Sequence, residues 1–553
     1  MKFQQTKKSA KILASILIIF LSLNLSKAQS WTGSSGSSMF TSNDTIFQYG
    51  DLLAPDGLGN LFVSGTSKCG YPLFHSASIR KTSSTGLMKE IFFNDTPTHD
   101  DFIISDLKIY NNSLYVVVGA KYHYPPQDHD LFVYKYDLNL NLQWQTIYNG
   151  VGDLEDYGSK IIKGNASSLL VLGQSADSIC VLKLNASSGS IIKQKNFKNY
   201  SFEISNTGKD IRYLNNAIYV AGAATIGPVN SSTMLLKMDN DLNIIFSRLT
   251  TASYPGAATQ RDEVERLQVD ASGNCFIAGT VYTNTIPERA RPYLLKYNSS
   301  GVLQFLKRYA YNDNRCFDFF LDATGNPIMY TDKNRYLRIN KTTGNATLAI
   351  TPVSSLNFAV ADVAKASNDY LYAFGDISFV GVDGLGNPFT HRGVQISEIS
   401  PTGITRLIYQ EVYTYPSRAD LIWKSKKIFL RNTNQIYFSI DVDEIMFAPY
   451  EFSVRYGLKQ YTPARLPFES MENAESTLNV YPNPAQSFIN VALPTTITQG
   501  TIQIFDLQGK LMLTKSIDDT FQNEINIDNL HAGTYIIKLI SNEMVITDKF
   551  VKL

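Results

Sequence analysis

The feature that most constrains the fold is a hairpin pattern that recurs along most of the chain. Its clearest copy runs from Asp262 to Gly279, where an apolar strand leads through the turn Asp270–Asn274 into the consecutive apolar residues Cys275–Ala278. Gly273 supplies the positive φ that a short hairpin turn needs, and the Asp and Asn at the two ends of the turn are expected to hydrogen-bond back onto it. This stretch therefore predicts two short antiparallel strands.

A second hairpin follows the first. Its clearest example has predicted strands at Tyr293–Tyr297 and Val302–Phe305, around a turn that ends in Gly301. Together the two hairpins form a four-stranded unit of roughly 50 residues. Further copies of the first hairpin, intact or degenerate, lie at Asp51–Gly65, Asp101–Gly119, Asp156–Gly173, Asp210–Gly222, Phe317–Thr331, Ala361–Gly375 and Ala419–Arg431. The last of these copies is predicted to turn at Lys426 and Lys427.

The period of the repeat predicts the fold class. Four strands per period indicate the blades of a β-propeller, and the second strand of each copy is apolar at consecutive residues, as expected for a strand covered on both faces. Separate β-sandwich modules would need a period of roughly 80 to 100 residues and linkers between the modules, and the sequence has neither. We predict an all-β protein whose residues 30–457 form a β-propeller of eight blades, with seven as the alternative because the first and last copies are the most degenerate. The copies resemble the β-propeller repeats of secreted bacterial proteins, in which D-x-x-G-N precedes an apolar run and a glycine.

The charge balance argues against a nucleic-acid partner or an acidic membrane surface. The 553 residues include 50 Lys and Arg against 49 Asp and Glu, a net charge of +1, whereas such partners select a concentrated basic surface. No partner of either kind is predicted.

Residues 1–28 have the parts of a secretory signal peptide. Four lysines between Lys2 and Lys11 precede the apolar stretch Ile12–Leu25, and Ser26 and Ala28 are small residues at the two positions that a signal peptidase inspects. The alternative is an N-terminal membrane anchor, but the apolar stretch is short for a span of about 20 residues. No later stretch is apolar enough to cross a bilayer, so we predict an exported chain without a transmembrane segment.

The last part of the chain has a different pattern. Residues 458–476 contain prolines and no strand pattern, and we interpret them as a linker. Residues 477–553 predict one small Ig-like β-sandwich. Three motifs stand in it in this order: Tyr481-Pro482-Asn483-Pro484, then Gly533-Thr534-Tyr535-Ile536-Ile537-Lys538, and finally Lys549 to Leu553 at the end of the chain.

These three motifs closely resemble the C-terminal sorting domain of proteins exported by the type IX secretion system of Bacteroidetes. The resemblance spans residues 477–553, and it implies passage through the periplasm, recognition by the type IX secretion machinery, and attachment to the outer surface or release. Carried over by position, the residues that the resemblance implies as the sorting signal are Pro482, Asn483, Pro484, Gly533, Tyr535, Lys538, Lys549 and Leu553.

The cysteines and histidines predict no metal site or cofactor. The four cysteines have no short spacing of the zinc-binding kind. Cys275 and Cys316 lie in successive repeats and are a candidate disulfide, although Cys275 is better interpreted as a small buried apolar residue. His123 stands near Asp128, His129 and Asp130, which we interpret as a solvated loop. The acidic turns 239–241 and 441–443 are candidates for calcium binding, although Asp and Asn are also ordinary turn residues.

No catalytic residue is predicted from a linear motif. Asp262, Glu263 and Glu265 are neighbours on one strand, and such spacing does not face two carboxylates across a cleft as glycoside hydrolysis requires. Six tyrosines in predicted loops are candidates for stacking on sugar rings or for ordinary packing: Tyr122, Tyr124, Tyr254, Tyr311, Tyr413 and Tyr415.

Two functions are therefore weighed. The first is a non-enzymatic binding protein for a glycan, a polymer or another protein, secreted or attached to the outer surface. The alternative is a polysaccharide lyase or glycoside hydrolase whose site lies at the central channel of the propeller and is assembled from several blades. A cluster of acidic or histidine side chains at a channel mouth would favour the enzyme, and an aromatic face would favour binding.

Overall fold

The structure is a computed structural model, and the chain divides into two compact units, Met1–Ala464 and Arg465–Leu553. The residues it describes are 29–31, 40–41, 45–56, 58, 60–69, 74–83, 86–93, 99–122, 128–150, 154–165, 167–198, 205–225, 230–252, 260–283, 289–310, 314–352, 358–382, 388–413, 420–432, 435–446, 451–461, 479–481, 485–492, 499–506, 510–518, 522–540 and 545–553. These residues form strands and turns, with no helix among them.

Four-stranded antiparallel sheets follow one another along the first unit, each a simple meander. The first three are β3–β6 (Thr45–Pro55, Leu61–Cys69, Phe74–Ser83, Gly86–Phe93), β7–β10 (His99–Tyr110, Ser113–Tyr122, His129–Asp137, Leu142–Tyr148) and β11–β14 (Asp156–Lys163, Ser168–Ser175, Ser178–Asn185, Ile191–Phe197). The next two are β15–β18 (Ser205–Leu214, Ala217–Thr225, Ser231–Asp239, Ile244–Thr250) and β19–β22 (Gln260–Val269, Cys275–Thr283, Ala290–Tyr297, Leu303–Arg308). Two more are β23–β26 (Cys316–Leu321, Pro327–Thr331, Arg335–Ile339, Ala346–Ile350) and β27–β30 (Ala359–Lys365, Leu371–Val382, Pro388–Ile399, Thr405–Tyr413).

The last sheet of this unit joins the two ends of the propeller sequence. It contains β31 (Asp420–Asn432), β32 (Gln435–Met446) and β33 (Glu451–Tyr461), and the N-terminal strands β1 (Gln29–Trp31) and β2 (Phe40–Thr41) both pair with β33. β3 contacts all three of β31, β32 and β33. The first sheet therefore packs against the last one, and the chain closes on itself.

The first strand of each sheet is innermost and the fourth is outermost. The first strands of neighbouring sheets contact each other, as β7 contacts β11 and β15 contacts β19. Every residue of β20, a second strand, is buried, whereas no residue of the fourth strand β22 is. Radially stacked antiparallel sheets around a closed ring define a β-propeller, so the predicted all-β propeller fold is confirmed.

The number of blades stays a prediction. The sheets β15–β18 and β19–β22 are connected by a parallel pairing of Ser231 with Arg261, which makes them one eight-stranded sheet. Counting by meander or by hydrogen-bonded sheet therefore gives different totals.

The apolar core is divided into layers that lie between successive sheets. Leu169 and Val171 of β12 pack into the layer shared with β7–β10, while Leu170 and Leu172 pack into the layer shared with β15–β18. Alternate side chains of a strand point to opposite faces, so a second strand that fills both layers must be apolar at consecutive positions. This is the physical reason for the apolar runs in the repeat.

The glycine that ends the apolar run in several repeats is required by close backbone approach. Gly279 pairs with Val264 at a β-bulge in β19, and a Cβ added to it would overlap the carbonyl oxygen of Glu263. A Cβ added to Gly222 would overlap the carbonyl oxygen of Thr207, and one added to Gly375 would overlap that of Ala359. A bulge bends its strand, and only glycine leaves room for the bent backbone.

The predicted turn chemistry is confirmed in the clearest repeat. Asp270 Oδ1 accepts hydrogen bonds from the N–H groups of Ser272 and Asn274 at 3.0 and 2.9 Å, and Asn274 Nδ2 donates to Asp270 Oδ2 at 2.8 Å. Gly273 has a φ of 80°. The acidic turn at Asp239 is closed by the same bonds, from the N–H groups of Asp241 and Asn243 and from Asn243 Nδ2, and therefore serves as a turn staple.

A lysine or arginine near the end of five successive third strands, β9, β13, β17, β21 and β25, ties neighbouring sheets together. Its side chain donates to a backbone carbonyl in the turn between the third and fourth strands of the next sheet. The bonds are Lys135 to Ala186 at 3.1 Å, Lys183 to Asn240 at 2.7 Å, Lys237 to Ser299 at 2.9 Å, Lys296 to Lys341 at 2.7 Å and Arg338 to Pro401 at 3.1 Å. We call these bonds the inter-sheet clamps. Charged hydrogen bonds of this kind contribute about 1.5–3 kcal/mol each.

Two predicted boundaries differ from the structure. Lys426 and Lys427 do not form a turn, because they lie in a bulge inside β31, whose partner strand begins at Gln435. β33 continues to Tyr461, beyond the predicted propeller end at Gly457, because residues 458–460 pair with β1. A pairing between the two distant ends of a chain leaves no local pattern.

Among the described residues, three cysteines are free thiols buried inside the propeller. Cys180, Cys275 and Cys316 are all buried and unpaired, so the candidate disulfide between Cys275 and Cys316 is absent and Cys275 is the buried apolar residue that was favoured. Burial raises the pKa of the Cys275 thiol to about 12.

The second unit is a sandwich of two sheets. One contains β34 (Asn479–Tyr481), β35 (Phe488–Ala492) and β38 (Gln522–Asn526), and the other has the order β37 (Leu511–Asp518), β36 (Gln499–Phe505), β39 (Gly533–Ile540) and β40 (Val545–Lys552). Ile489, Ile504, Ile525, Ile537 and Phe550 meet in a single core between them. The predicted Ig-like β-sandwich is confirmed.

Candidate functional site

The connections divide the propeller into two faces. The face that carries the turns between first and second strands and between third and fourth strands is the turn face. The face that carries the connections from second to third strands and from one sheet to the next is the loop face. The turn face carries the inter-sheet clamps and the Asp-Asn turns, so much of it is structural.

The inner strands carry a row of charged side chains at equivalent positions. Those of the described residues are Asp106, Lys160, Asp210, Arg266, Asp318, Asp362 and Lys427. Lys160 Nζ lies 2.8 Å from Asp210 Oδ1, Arg266 Nε lies 2.8 Å from Asp318 Oδ1, and Lys427 Nζ lies 3.4 Å from Asp362 Oδ1. Carboxylates and cations therefore neutralise each other across sheet boundaries.

Three of these carboxylates also hold the next sheet by its backbone. The Oδ2 atoms of Asp106, Asp210 and Asp362 accept hydrogen bonds from the N–H groups of Ile161, Leu267 and Ile428 at 2.9, 2.9 and 3.0 Å. Burial acts to raise the pKa of Asp210, but Lys160 and Arg212 outweigh it and leave that pKa lowered. These aspartates act first as inter-sheet tethers.

Asp318 and Asp362 differ from Asp210 in their electrostatics. They lie on the adjacent inner strands β23 and β27, and burial raises the pKa of both carboxyl groups against the opposing charges of Arg266 and Lys427. The charge of Asp318 further raises the pKa of Asp362. Two neighbouring carboxyl groups that resist ionisation are a feature suited to general acid–base chemistry.

A buried group of acids and a histidine lies at the loop face between β7–β10 and β11–β14. His99 Nε2 lies 2.7 Å from Asp130 Oδ2, and the N–H of Gly150 donates to Asp156 Oδ2. Burial, followed by the charges of Asp130 and Asp128, raises the pKa of Asp156. Because Asp128, Asp130 and Asp156 are at most 6% exposed, this group is enclosed.

The interpretation of Asp128, His129 and Asp130 as a solvated loop is therefore wrong. Asp128 immediately precedes β9, which begins at His129, and the side chains of Asp128 and Asp130 are buried. His123 lies outside the described residues. Among the residues that the structure describes, no group of three or more His, Cys, Asp or Glu side chains is arranged to hold a metal ion.

An exposed aromatic surface lies beside this buried group. We call it the Tyr157 patch, and its members are Ile103, His129, Leu154, Glu155 and Tyr157. The Tyr157 hydroxyl lies 3.1 Å from His129 Nδ1, and the same nitrogen lies 2.6 Å from Glu155 Oε2. The ring centres of His129 and Tyr157 are 4.8 Å apart, and the angle between the ring planes is 37°.

The Tyr157 patch has an apolar part as well as a polar part. Tyr157, Ile103 and Leu154 are 40%, 44% and 51% exposed. Ile103 pairs with Gly119, and a Cβ on that glycine would lie 3.9 Å from the Tyr157 ring. The absence of a side chain at Gly119 leaves space beside the ring.

Tyr157 is not among the six candidate tyrosines because those six were all assigned to predicted loops. Tyr157 is the second residue of an inner strand, β11. Of the six tyrosines proposed for stacking, Tyr124, Tyr254, Tyr311 and Tyr415 lie outside the described residues, and the side chains of Tyr122 and Tyr413 are not described. The signal that was present is an aromatic residue at a strand position where the neighbouring repeats have Thr207 and Glu263.

The three acidic neighbours on β19 do not form a catalytic pair. Asp262 is buried, and its Oδ2 accepts the N–H of Ala252 at 2.7 Å, so it fixes the start of the preceding connection. Glu265 Oε2 lies 3.6 Å from Lys209 Nζ on the neighbouring inner strand.

The second unit brings several of the predicted sorting residues together. Gly533, Tyr535 and Lys538 lie on β39, which pairs with β40, the strand that contains Lys549. The Tyr535 and Phe550 rings stack with their centres 5.6 Å apart, and Gly533 pairs with Lys552. The exact placement of Pro482, Asn483 and Pro484 is outside the described residues.

The residue that follows Pro484 is nevertheless fixed against the C-terminus. The N–H of Ala485 donates to Val551 at 2.8 Å, and the N–H of Leu553 donates back to Ala485 at 2.8 Å. The strand that contains Lys549 and the stretch next to the proline motif therefore form one continuous edge of the sandwich.

Comparison with known proteins identifies the second unit. Residues 479–553 match the family model of the secretion system C-terminal sorting domain. A stretch of 42 residues is 43% identical to the thiol protease/hemagglutinin PrtT of Porphyromonas gingivalis; it covers 8% of this chain and 5% of that protein.

Solved structures also resemble the chain. The Dos1 propeller is 12% identical, with a TM-score of 0.46, over 78% of this chain and 96% of its own. BamB from Moraxella catarrhalis is 11% identical, with a TM-score of 0.36, over 61% of this chain and 96% of its own.

The fold and the sorting domain together define the class of protein. This is an exported β-propeller protein with a C-terminal type IX sorting domain, as the motifs predicted. The domain implies the type IX secretion machinery as a partner and places the protein at the outer surface or outside the cell. In the part of the chain that the structure describes, no helix has the length and apolar character of a membrane span.

Proposed function

We propose that this exported protein is a non-enzymatic binding protein and that a glycan docks on its loop face at the Tyr157 patch. The observation that carries the proposal is the exposed Tyr157 ring beside the hydrogen-bonding groups of His129 and Glu155. Aromatic residues of the described core, such as Tyr115, Trp144, Tyr219 and Tyr293, pack between sheets, whereas the Tyr157 ring is 40% exposed.

The chemistry of the Tyr157 patch suits a sugar ring. The tyrosine supplies a rigid apolar surface for the C–H face of the sugar, with little conformational entropy to lose on binding. Glu155 accepts hydrogen bonds from hydroxyl groups. Burial, with the hydrogen bond and charge of Glu155, raises the pKa of Tyr157, so its hydroxyl remains a donor across the physiological range.

The test is a binding screen of the protein against soluble polysaccharides, with analysis of the products of every hit. We expect binding with an unchanged polymer, and at least a tenfold weaker affinity for Tyr157→Ala. Tyr213→Ala is the control, because Tyr213 also lies on an inner strand but points its hydroxyl at the turn-face residues Asn216 and Asn240. Equal binding by wild type and Tyr157→Ala would exclude the patch, and no binding to any polysaccharide would exclude the glycan.

The alternative is a polysaccharide lyase or glycoside hydrolase with its site at the central channel. The observation in its favour is the adjacent pair Asp318 and Asp362, because a carboxyl with a raised pKa suits a general acid. In the same screen this function requires release of oligosaccharides, and the release must be lost in Asp318→Asn or Asp362→Asn while Asp106→Asn retains it.

We further propose the export signals and boundaries that the sequence predicts. Residues 1–28 are a signal peptide, residues 30–457, continued by β33 to Tyr461, the binding propeller, the rest of residues 458–476 a linker and residues 477–553 the sorting domain. Pro482, Asn483, Pro484, Gly533, Tyr535, Lys538, Lys549 and Leu553 form the signal that the secretion machinery recognises. The shared edge formed by β40 and Ala485 supports this grouping.

A further inference from the structure

A pocket of about 330 Å³ opens on the turn face between β7–β10 and β11–β14. Tyr115 and Ser113 of β8 and Lys135 of β9 form one side, and Ser167, Asn185 and Ser187 of the facing sheet form the other. Its volume lies at the small end of the range for ligand sites, about 300–1,000 Å³, and so suits a molecule of one ring. It lies on the opposite face from the Tyr157 patch.

The positive charge of the pocket comes from Lys135. No carboxylate is among the residues that line the pocket, and Lys135 Nζ donates to the carbonyl oxygen of Ala186. The ammonium lies 5.7 Å from the centre of the Tyr115 ring. A cation whose pocket contains no carboxylate favours an anionic ligand.

Lys135 has hydrogen-bonding capacity that the protein does not use. Three donors converge on one acceptor, the carbonyl oxygen of Ala186: Lys135 Nζ at 3.1 Å, Trp144 Nε1 at 3.3 Å and the Tyr115 hydroxyl at 3.5 Å. A carbonyl oxygen has two lone pairs, and an ammonium has three N–H groups. The site therefore holds more donors than its one shared acceptor can satisfy.

The rest of the lining is neutral and rich in hydrogen-bonding groups. Ser113, Ser167 and Ser187 carry hydroxyls, and Asn185 carries an amide whose oxygen already accepts the Ser187 hydroxyl at 2.6 Å. Phosphate sites characteristically use arginine forks or convergent backbone N–H groups. One lysine among hydroxyls better matches a single negative charge on a body that itself carries hydroxyl groups.

We propose that this pocket binds a carboxylate-bearing sugar unit, a uronic acid. Lys135 Nζ pairs with the sugar carboxylate, the serine hydroxyls and the Asn185 amide bond the ring hydroxyls, and Tyr115 limits the depth of the pocket. This site is independent of the glycan proposed for the Tyr157 patch, since it uses none of the same residues.

The test is titration of the full chain with glucuronate and galacturonate, followed by protein-observed NMR or calorimetry. Glucose and inorganic phosphate are titrated as the neutral sugar and the small oxyanion. We expect uronate binding that weakens with added salt, no response to glucose, and at least a tenfold loss of affinity in Lys135→Met. Lys135→Arg is expected to retain binding because it keeps the charge.

Lys237→Met is the matched control. Lys237 makes the equivalent clamp to Ser299 O at 2.9 Å, and its ammonium is covered by the rings of Tyr219 and Phe246 at 5.1 and 5.7 Å. The control loses a clamp and its stability but keeps the pocket, so uronate affinity should not change. Ser167→Phe fills the pocket without touching a clamp and should weaken binding.

Three outcomes would overturn the proposal. They are no uronate binding by the wild-type chain, equal affinity in Lys135→Met and Ser167→Phe, and a response to phosphate alone. Loss of polysaccharide binding in Tyr157→Ala with normal uronate binding would separate this site from the loop-face function.

Discussion

Asp262 shows at the scale of one residue how a side chain that resembles a catalytic carboxylate serves the fold. It is nearly fully buried, it accepts the N–H groups of Ala252 and Thr233 at 2.7 and 3.4 Å, and no cation is among the causes that set its pKa. Burial raises the pKa of Asp262 to about 6. Its ionised form is therefore disfavoured in the folded protein.

This raised pKa predicts a pH-dependent effect of Asp262→Asn. Below pH 4 the carboxyl is protonated in both folded and unfolded chains; between pH 4 and about 6 the unfolded chain ionises first, so wild-type stability falls as the pH rises. The full shift corresponds to about 3 kcal/mol. Asparagine keeps the acceptor for Ala252 but does not ionise. The stability of Asp262→Asn relative to wild type should therefore increase between pH 4 and pH 7, measured by denaturant unfolding at each pH. A difference that stays constant with pH would contradict the prediction.

Residue-scale prediction succeeded where the chemistry is local. The hydrogen bonds of Asp270 and Asn274 follow from turn geometry and were predictable from five consecutive residues. Tyr157 and Lys135 were not, because their partners His129 and Ala186 lie in other strands or sheets. Which residues meet there depends on how two sheets stack, and no local pattern records it.

At the scale of the element, the bulge in the inner strand explains the glycine that closes the repeat. Gly279 leaves no room for a Cβ beside the Glu263 carbonyl, whereas Gly119, at the end of the same motif in β8, has Tyr157 as its nearest neighbour at 3.9 Å. The two positions look alike in sequence. They differ in register, because Gly279 pairs with Val264, the last residue before the bulge in β19, whereas Ile104, the last residue before the corresponding bulge in β7, pairs with Val118 and leaves Gly119 one residue beyond it.

The contrast predicts opposite outcomes for two identical substitutions. Gly279→Ala should lower stability by several kcal/mol, since the backbone of β19 must move to relieve the overlap. Gly119→Ala should change stability by less than about 1 kcal/mol, because the new methyl group makes an ordinary contact. Thermal unfolding of both variants, followed by circular dichroism, distinguishes them. Equal losses at the two positions would show that the bulge does not set the requirement.

The lysines of the inter-sheet clamps can be seen in the sequence, but their structural role cannot. A lysine before the second turn recurs in Lys135, Lys183, Lys237 and Lys296, and it resembles an ordinary polar residue at a strand end. Its acceptor is a carbonyl in the next repeat, about 50 residues away in the chain, so it is visible only when the sheets are stacked. The clamp is a property of the repeat array and not of one hairpin.

At the scale of the whole molecule, the sequence predicted the class of fold and the destination but not the closure of the ring. Strand periodicity and turn chemistry recur in most copies, so the all-β propeller followed from the repeat. The pairing of β1 with β33 did not, because Gln29 and Gln460 are joined only by the completed ring. The Tyr157 patch was missed for the same reason, since its residues come from two adjacent sheets.

The sorting domain provides the last prediction, because its edge is exposed and its core is separate. Lys549 on β40 is exposed at one edge of the sheet order β37–β36–β39–β40, and Lys510 is exposed beside the opposite edge strand β37. Both side chains lie outside the core that contains Phe550. If the β40 edge is what the machinery recognises, replacing Lys549 should matter and replacing Lys510 should not.

We expect Lys549→Ala, combined with Lys538→Ala on the adjacent β39, to fold normally and to reduce export several-fold, with the protein retained in the periplasm. Lys510→Ala should be exported like the wild type. Immunoblots of periplasmic, surface and medium fractions measure the distribution, and thermal unfolding of the purified chains checks that both variants keep the stability of the sandwich. Normal export of the double variant would show that recognition uses another surface of the domain, and equal retention of Lys510→Ala would show that the loss of positive charge matters wherever it occurs.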